Sequence, residues 1–285
     1  MSTGESPTRT VRRGYLDLPH GQVHHRSAGT PGDDLLVLLH QVPSSSSMWE
    51  AVLEPFAARG YHVVAIDLPG YGASDPVHDT PGVTELREYA EVVTGVISAL
   101  GADSAFLVGH HTGSSVALTT AVEFPETVRA VAVWAVARLS PEFSKELAEE
   151  PPPVHDAAFI EDVAAWWRSR LGEVRPDVVD RVMHRALAEM LANGSHRPDG
   201  HNAVGRAGDH GDLLAALTRP VLAMTGGREM LDLETRRAVS DFPDHLELAD
   251  LGPEAGIDVA DESPDLFVDT VDAHFRAHRT PGASR

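Results

Sequence analysis

The chain has 285 residues, a length that suits one large domain or a core with a modest insertion. Its 42% hydrophobic and 23% charged residues are ordinary for a globular protein, and the absence of cysteine excludes disulfides, thiolate metal sites and cysteine nucleophiles. A net charge of −20 argues against nucleic acid and anionic membranes as partners; no apolar run is long enough to cross a bilayer, and the polar opening MSTGESPTRTVRR lacks the apolar stretch of a secretory leader, so the expected setting is cytoplasmic.

In chain order, Val11–Leu18 and Gln22–Ala28 alternate apolar and polar residues around Pro19-His20-Gly21, which predicts a β-hairpin. Leu35–Leu39 is wholly apolar, as a strand buried on both faces should be. A turn-rich HQVPSSSS follows, then a helix over about Met48–Ala58 and a second buried strand at His62–Ile66. Thr84 is the expected N-cap of a helix whose Leu86, Ala90, Val93, Ile97 and Leu100 share one face, with Gly101 as its stop. Ala105–Val108 is a third buried strand running into Gly109-His110-His111-Thr112-Gly113 and a helix of small residues, and Val128–Val136 is a fourth. Strands alternating with helices imply a parallel, doubly wound sheet.

From about Ala137 to Leu217 the strand signal stops. Phe159, Ile160, Val163, Trp166 and Trp167 lie at helical spacing, as do Val178 to Leu191, so residues 138–217 read as a helical insertion between core segments 1–137 and 218–285. The stretch NGSHRPDGHNAVGRAGDHGD reads as a surface loop, and its histidines lack metal-ligand spacing. The sheet resumes at Pro220–Thr225, followed by a helix near Glu234–Ser240, a strand near Leu246–Leu248 and a last helix over Pro264–His278.

Three local sequences, each at the end of a predicted strand, resemble those of the α/β-hydrolase superfamily. His40-Gln41-Val42-Pro43 with Trp49 looks like its H-G-x-P…W loop, Asp67-x-x-Gly70-x-Gly72-x-Ser74 like its D-x-x-G-x-G-x-S turn, and Gly109-His110-His111-Thr112-Gly113 like its G-x-nucleophile-x-G elbow. The resemblance implies a mostly parallel eight-stranded sheet, a helical cap after the sixth strand and a cleft at the carboxyl ends of the strands. It also implies an oxyanion hole from the N–H groups of Val42 and Thr112, with His40 mainly holding loop backbone and Gln41 in place of the usual glycine.

Residue by residue, the triad departs from that pattern. The elbow residue, ordinarily Ser, Asp or Cys, is His111; Glu229 stands where the family's acid is expected, with Asp232 as the alternative; the family's His position falls on Ile257. Serine attack needs a hydroxyl and a base, and neither is in place. The combination of H-Q-x-P with G-H-H-T-G resembles a divergent actinobacterial branch of the superfamily. The expected protein is a cofactor-independent, metal-free enzyme of specialised metabolism that uses His111, with Glu229, as acid/base on a hydrophobic oxygenated small molecule. C–C bond formation or cleavage, Michael-type addition, cyclisation and water addition all fit. The alternatives are a ligand-binding protein without catalysis and an unconventional ester or epoxide hydrolase. Trp166 and Trp167 are adjacent, so one is expected on the cap's own core and the other over the cleft. Ser44–Ser47 read as a turn capping the next helix, His110 as packing beneath the elbow, and the assembly as a monomer or homodimer.

Overall fold

The structure is a computed structural model and describes residues 10–154 and 156–279. Strands β1 (Arg12–Leu18) and β2 (Gly21–Ala28) form the antiparallel hairpin, and β3 (Asp34–Leu39) leads through a short 3-10 turn into α1 (Glu50–Ala57). Then come β4 (Tyr61–Ile66), α2 (Leu86–Ala99), β5 (Ala105–His110), α3 (Thr112–Glu123) and β6 (Val128–Trp134). Five helices without a strand follow: α4 (Pro141–Ala148), α5 (Ala157–Leu171), α6 (Val179–Ala192), α7 (Asp199–Ala207) and α8 (Gly211–Ala215). The chain closes with β7 (Val221–Thr225), α9 (Asp232–Asp241), β8 (Leu246–Asp250), α10 (Val259–Glu262) and α11 (Pro264–Arg276).

The eight strands make one sheet in the order β1-β2-β4-β3-β5-β6-β7-β8. β2 meets both neighbours antiparallel, and every pair from β4 to β8 is parallel. Because side chains alternate along a strand, each apolar strand feeds two cores. Val37, Leu39, Leu107 and Val133 face α2 and α3, whereas Leu36, Leu38, Phe106 and Ala132 face α1 and α11. That double burial is why LLVLL and AFLV contain no polar position.

Three local expectations are corrected. The N-cap of α2 is Glu85, not Thr84: Glu88 at the third helical position accepts from the Glu85 N–H at 2.9 Å and closes a capping box. β6 stops at Trp134 because Ala135 turns the chain with φ 69°. The Gly- and His-rich stretch is not a loop but largely α7 and α8, tied down by its polar residues. Asn202 donates to the Leu147 carbonyl at 2.9 Å at the end of α4, and Gly205 lets α7 approach so closely that a Cβ there would sit 2.2 Å from the Ala148 nitrogen. Ile160 and Leu191, placed on apolar faces by their spacing, are exposed.

Phe275 of α11 is fully buried and stacks on Phe106 of β5 with ring centroids 4.7 Å apart. Phe275→Ala leaves a cavity under the sheet and should cost about 3–5 kcal/mol, read as a lower denaturant midpoint with an unchanged slope.

Candidate active site

The elbow forms because two positions in it exclude any side chain. A Cβ on Gly109 would lie 2.3 Å from the Gly113 oxygen, and one on Gly113 would lie 2.1 Å from the Leu39 oxygen, so α3 packs on β3 and β5 at backbone distance. The turn between the glycines holds His111 at φ 49°, ψ −110°, a region that residues with a Cβ rarely adopt. Its N–H donates to the Trp134 carbonyl at 3.0 Å and its own carbonyl accepts from the Ser114 N–H at 2.8 Å. The imidazole is thereby presented beyond the carboxyl end of β5.

Glu229, in the turn after β7, meets it there. Nε2 of His111 lies 2.9 Å from Oε1 of Glu229, whose side chain has no exposed surface. The ring N–H is not aimed in line at the oxygen, so the contact is a close approach and not a well-directed hydrogen bond. The other carboxylate oxygen accepts from the Trp134 indole N–H at 2.6 Å, and Oε1 also accepts from the Leu231 N–H at 3.1 Å. Burial works against ionisation of Glu229, yet His111, His110 and the Leu231 N–H outweigh it and hold its pKa down at about 2. His110 lies beneath, stacked on His111 at 5.0 Å and on Trp134 at 6.3 Å. Burial, with the neighbouring His111, lowers the His110 pKa to about 3.

A cavity of about 320 Å³ opens above His111, between the ends of the parallel strands and helices α4 to α7. Its floor is Gln41, Val42, His111, Thr112 and Ser115, with Ala135, Leu231 and Ile257 at the sides. Thr112 is the first residue of α3, where a helix leaves its N–H groups without intrahelical acceptors. Among the described residues neither the Thr112 nor the Val42 N–H has an acceptor. Nδ1 of His111 likewise has no protein partner among them and, unlike Nε2, is not sealed from solvent. Leu139, Phe143, Leu147, Trp166 and Met190 make the roof apolar.

Sequence reasoning placed His111, Glu229, Gln41, Val42, Thr112 and Trp166 in or against this cavity, and the structure brings them together. His40 holds loop backbone as expected and takes no part in the cavity: it is fully buried, accepting from the Leu68 N–H at 2.8 Å through Nε2 and donating from Nδ1 to the Gln41 carbonyl at 2.7 Å. The tryptophans divide as expected, Trp166 lining the cavity and Trp167 lying off it against the cap's own cluster of Val174, Val182 and Met183. Asp232 bonds Thr225 and Arg236 instead of His111. Ser45 does cap the turn before α1, but Ser44, Ser45 and Ser47 also donate their hydroxyls to Glu189 of α6. Asp67 ties the loop backbone by accepting from the Ser46 N–H at 2.7 Å and the Ala73 N–H at 2.9 Å, and it pairs with His24 away from the cavity. The charged lining residues Arg170, Arg185, Glu189, Asp258 and His201 were missed. Arg185 and Glu189 fall on the same face of α6 as Val182, Ala186 and Met190, and charges on an apolar stripe were the available signal. Among the described residues no cluster of three or more His, Asp or Glu side chains is arranged to hold a metal.

Residues 34–173 match a family described as alpha/beta hydrolase fold. The chain is 36% identical over 135 residues to a 2-hydroxy-6-oxononadienedioate/2-hydroxy-6-oxononatrienedioate hydrolase of Paraburkholderia phymatum, covering 45% of this chain and 46% of that one. It is 39% identical over 105 residues to epoxide hydrolase B of Mycobacterium tuberculosis, covering 36% and 29%. These matches thus span less than half the length of either relative. The fold is similar to that of the crystal structure of epoxide hydrolase A from Mycobacterium thermoresistibile, with a TM-score of 0.76, 22% identity and 95% and 99% of the two chains covered.

The buried ionisable groups dictate the response to acid. Between the ordinary value of 6.5 and about 3, an unfolded chain protonates the His110 position while the folded one does not. Between 4.5 and about 2 the same holds for Glu229. In both windows the unfolded chain binds more protons, so stability is full above them and is lost as pH falls, at roughly 1.4 kcal/mol per pH unit for each proton. His40 and His210, also buried with lowered pKa values, add to the upper window. Urea midpoints should therefore fall steadily from pH 7 to pH 4.5, and His110→Phe should reduce that slope by about one proton.

Proposed function

We propose that the protein, whose fold is similar to that of α/β-hydrolases and whose residues 34–173 match that family, is a hydrolase in which His111 activates water directly, with no covalent enzyme intermediate and no cofactor. The substrate is a hydrophobic carbonyl compound, either an ester or a dicarbonyl compound whose C–C bond is cleaved. Residues 138–217 act as a lid over the core formed by 1–137 and 218–285. The observation that carries this reading is the division of the His111 ring: Nε2 rests on buried Glu229 while Nδ1 is left for the cavity.

The chemistry follows from that division. Nδ1 takes a proton from a water molecule as its oxygen attacks the carbonyl carbon. The carbonyl electron pair moves onto oxygen, and the N–H groups of Val42 and Thr112 receive the resulting charge. Glu229, held ionised, stabilises the imidazolium formed in this step. Collapse of the tetrahedral adduct breaks the bond to the alkoxide or carbanion, which takes the proton back from Nδ1. The Gln41 amide orients the substrate oxygen, and Trp166 packs against its apolar part. A second reading, water opening of an epoxide by the same base, is supported by the 39% identity to an epoxide hydrolase. In that case the Gln41 amide donates to the departing oxygen.

With 4-nitrophenyl hexanoate as probe, His111→Ala should lower kcat by about 10²–10⁴ while KM stays within a few-fold, because the base acts mainly in the transition state. Turnover in ¹⁸O-labelled water should place the label in hexanoate, and a fluorophosphonate should leave the protein unlabelled. An acyl group found on Ser115, Ser44 or any other serine would falsify the mechanism. Unchanged binding together with no turnover of esters, dicarbonyls or epoxides would make the protein a ligand carrier.

A further inference from the structure

The charged groups missed by sequence reasoning are balanced against one another inside the protein. Arg170 of α5 pairs with Asp258 and, at 2.9 Å, with Glu173. Arg185 of α6 pairs with Asp261 at 2.7 Å, and Glu189, one helical turn further on, and Asp258 add their negative charge to the same guanidinium. The carboxylate of Glu189 is held by the Ser44 hydroxyl at 2.8 Å and by those of Ser45 and Ser47. Two cations and two carboxylates thus line the cavity, and further carboxylates stand directly behind the cations.

We propose that the cavity selects uncharged substrates and excludes carboxylates, and that Glu189 is the residue that sets this preference. An anionic ligand would shed its hydration on entry and find both guanidiniums already paired with carboxylates, the Arg185 Nε being the one buried donor of that group left without a partner among the described residues. It would also meet Glu189, held in the cavity wall by the serines that follow Val42 and Pro43. A dioate, the kind of compound for which one relative is named, would face this twice. The three serine hydroxyls fix the Glu189 carboxylate in place, so it cannot swing aside to admit a like charge. The inference deepens the hydrolase reading by naming a substrate class, but its charge argument concerns binding and stands apart from turnover.

The test compares two ketones that differ only at one end, 1-phenylhexan-1-one and 6-oxo-6-phenylhexanoate, by calorimetry on the intact protein at pH 7.5. Neither can be hydrolysed by the proposed route, so affinity is read without chemistry. The neutral ketone should bind at least about tenfold more tightly, as expected for one like charge at close range in a partly buried site. Glu189→Gln keeps the acceptor for the serine hydroxyls and should narrow the gap to about threefold or less. Asp258→Asn, which removes a charge from the same group of ion pairs, should narrow it less, and an undiminished gap in Glu189→Gln overturns the role assigned to Glu189. Equal affinities in the unaltered protein, tighter binding of the acid, or no binding of either ketone overturns the proposal. A tenfold preference in a protein that hydrolyses nothing would remove the hydrolase reading and leave this one standing.

Discussion

A carboxylate shut away from water has to be met by donors and positive charge, or the fold that buries it is destabilised by several kcal/mol. Glu229 is such a carboxylate, and its requirements organise the centre of the molecule. The indole of Trp134 reaches it from the end of β6, the Leu231 N–H from its own turn, and His111 from the elbow after β5. Three adjacent parallel strand ends are thereby fastened to one group. The same strand ends define the cavity mouth, so the contact that satisfies Glu229 also fixes the position of His111 in the cavity wall.

That arrangement shortens the usual chain of command. In a serine-type site the acid orients a histidine and the histidine activates a hydroxyl, so three side chains from three loops must agree. Here the acid touches the elbow residue itself. From the loop after β8, Ile257 lines the cavity with an aliphatic surface. Next to it, His110 is sealed completely and kept neutral by burial and by His111. The flank of the dyad that faces the core is therefore dry, and the free nitrogen is the one on the cavity side. A dry flank strengthens the attraction between Glu229 and the imidazolium formed on proton transfer.

Much of this could be read from the residues because it is written in short-range constraints. Wholly apolar runs of four or five residues, Leu35–Leu39 and Ala105–Val108 among them, have few homes other than a doubly covered sheet. The glycines of GHHTG report a close backbone approach that no other residue permits. What escaped was set by contacts distant in sequence. Glu85 displaced Thr84 as a cap because Glu88 closes the box, while the Thr84 carbonyl is taken by Arg206 from α7, 122 positions away. The histidine-rich stretch became helical because Asn202 and Gly205 find their partners on α4. Glu189, Arg185 and Arg170 belong to no motif. Only the docking of their helices over the strand ends turns them toward the cavity.

The backbone at His111 separates a working site from an inherited shape. A residue with a Cβ held at φ 49°, ψ −110° carries about 1–3 kcal/mol of strain, and such strain persists only where the surroundings over-determine it. Glycine at that position would relieve it at once, and the two flanking glycines show that the chain readily places glycine in this turn. Instead the strained position carries a ring whose inner nitrogen is matched by a buried carboxylate and whose outer nitrogen is left without a protein partner. His40, by contrast, has both ring nitrogens engaged in backbone hydrogen bonds. The contrast between these two histidines, one closed on both sides and the other open on one, supports the proposal that His111 transfers protons.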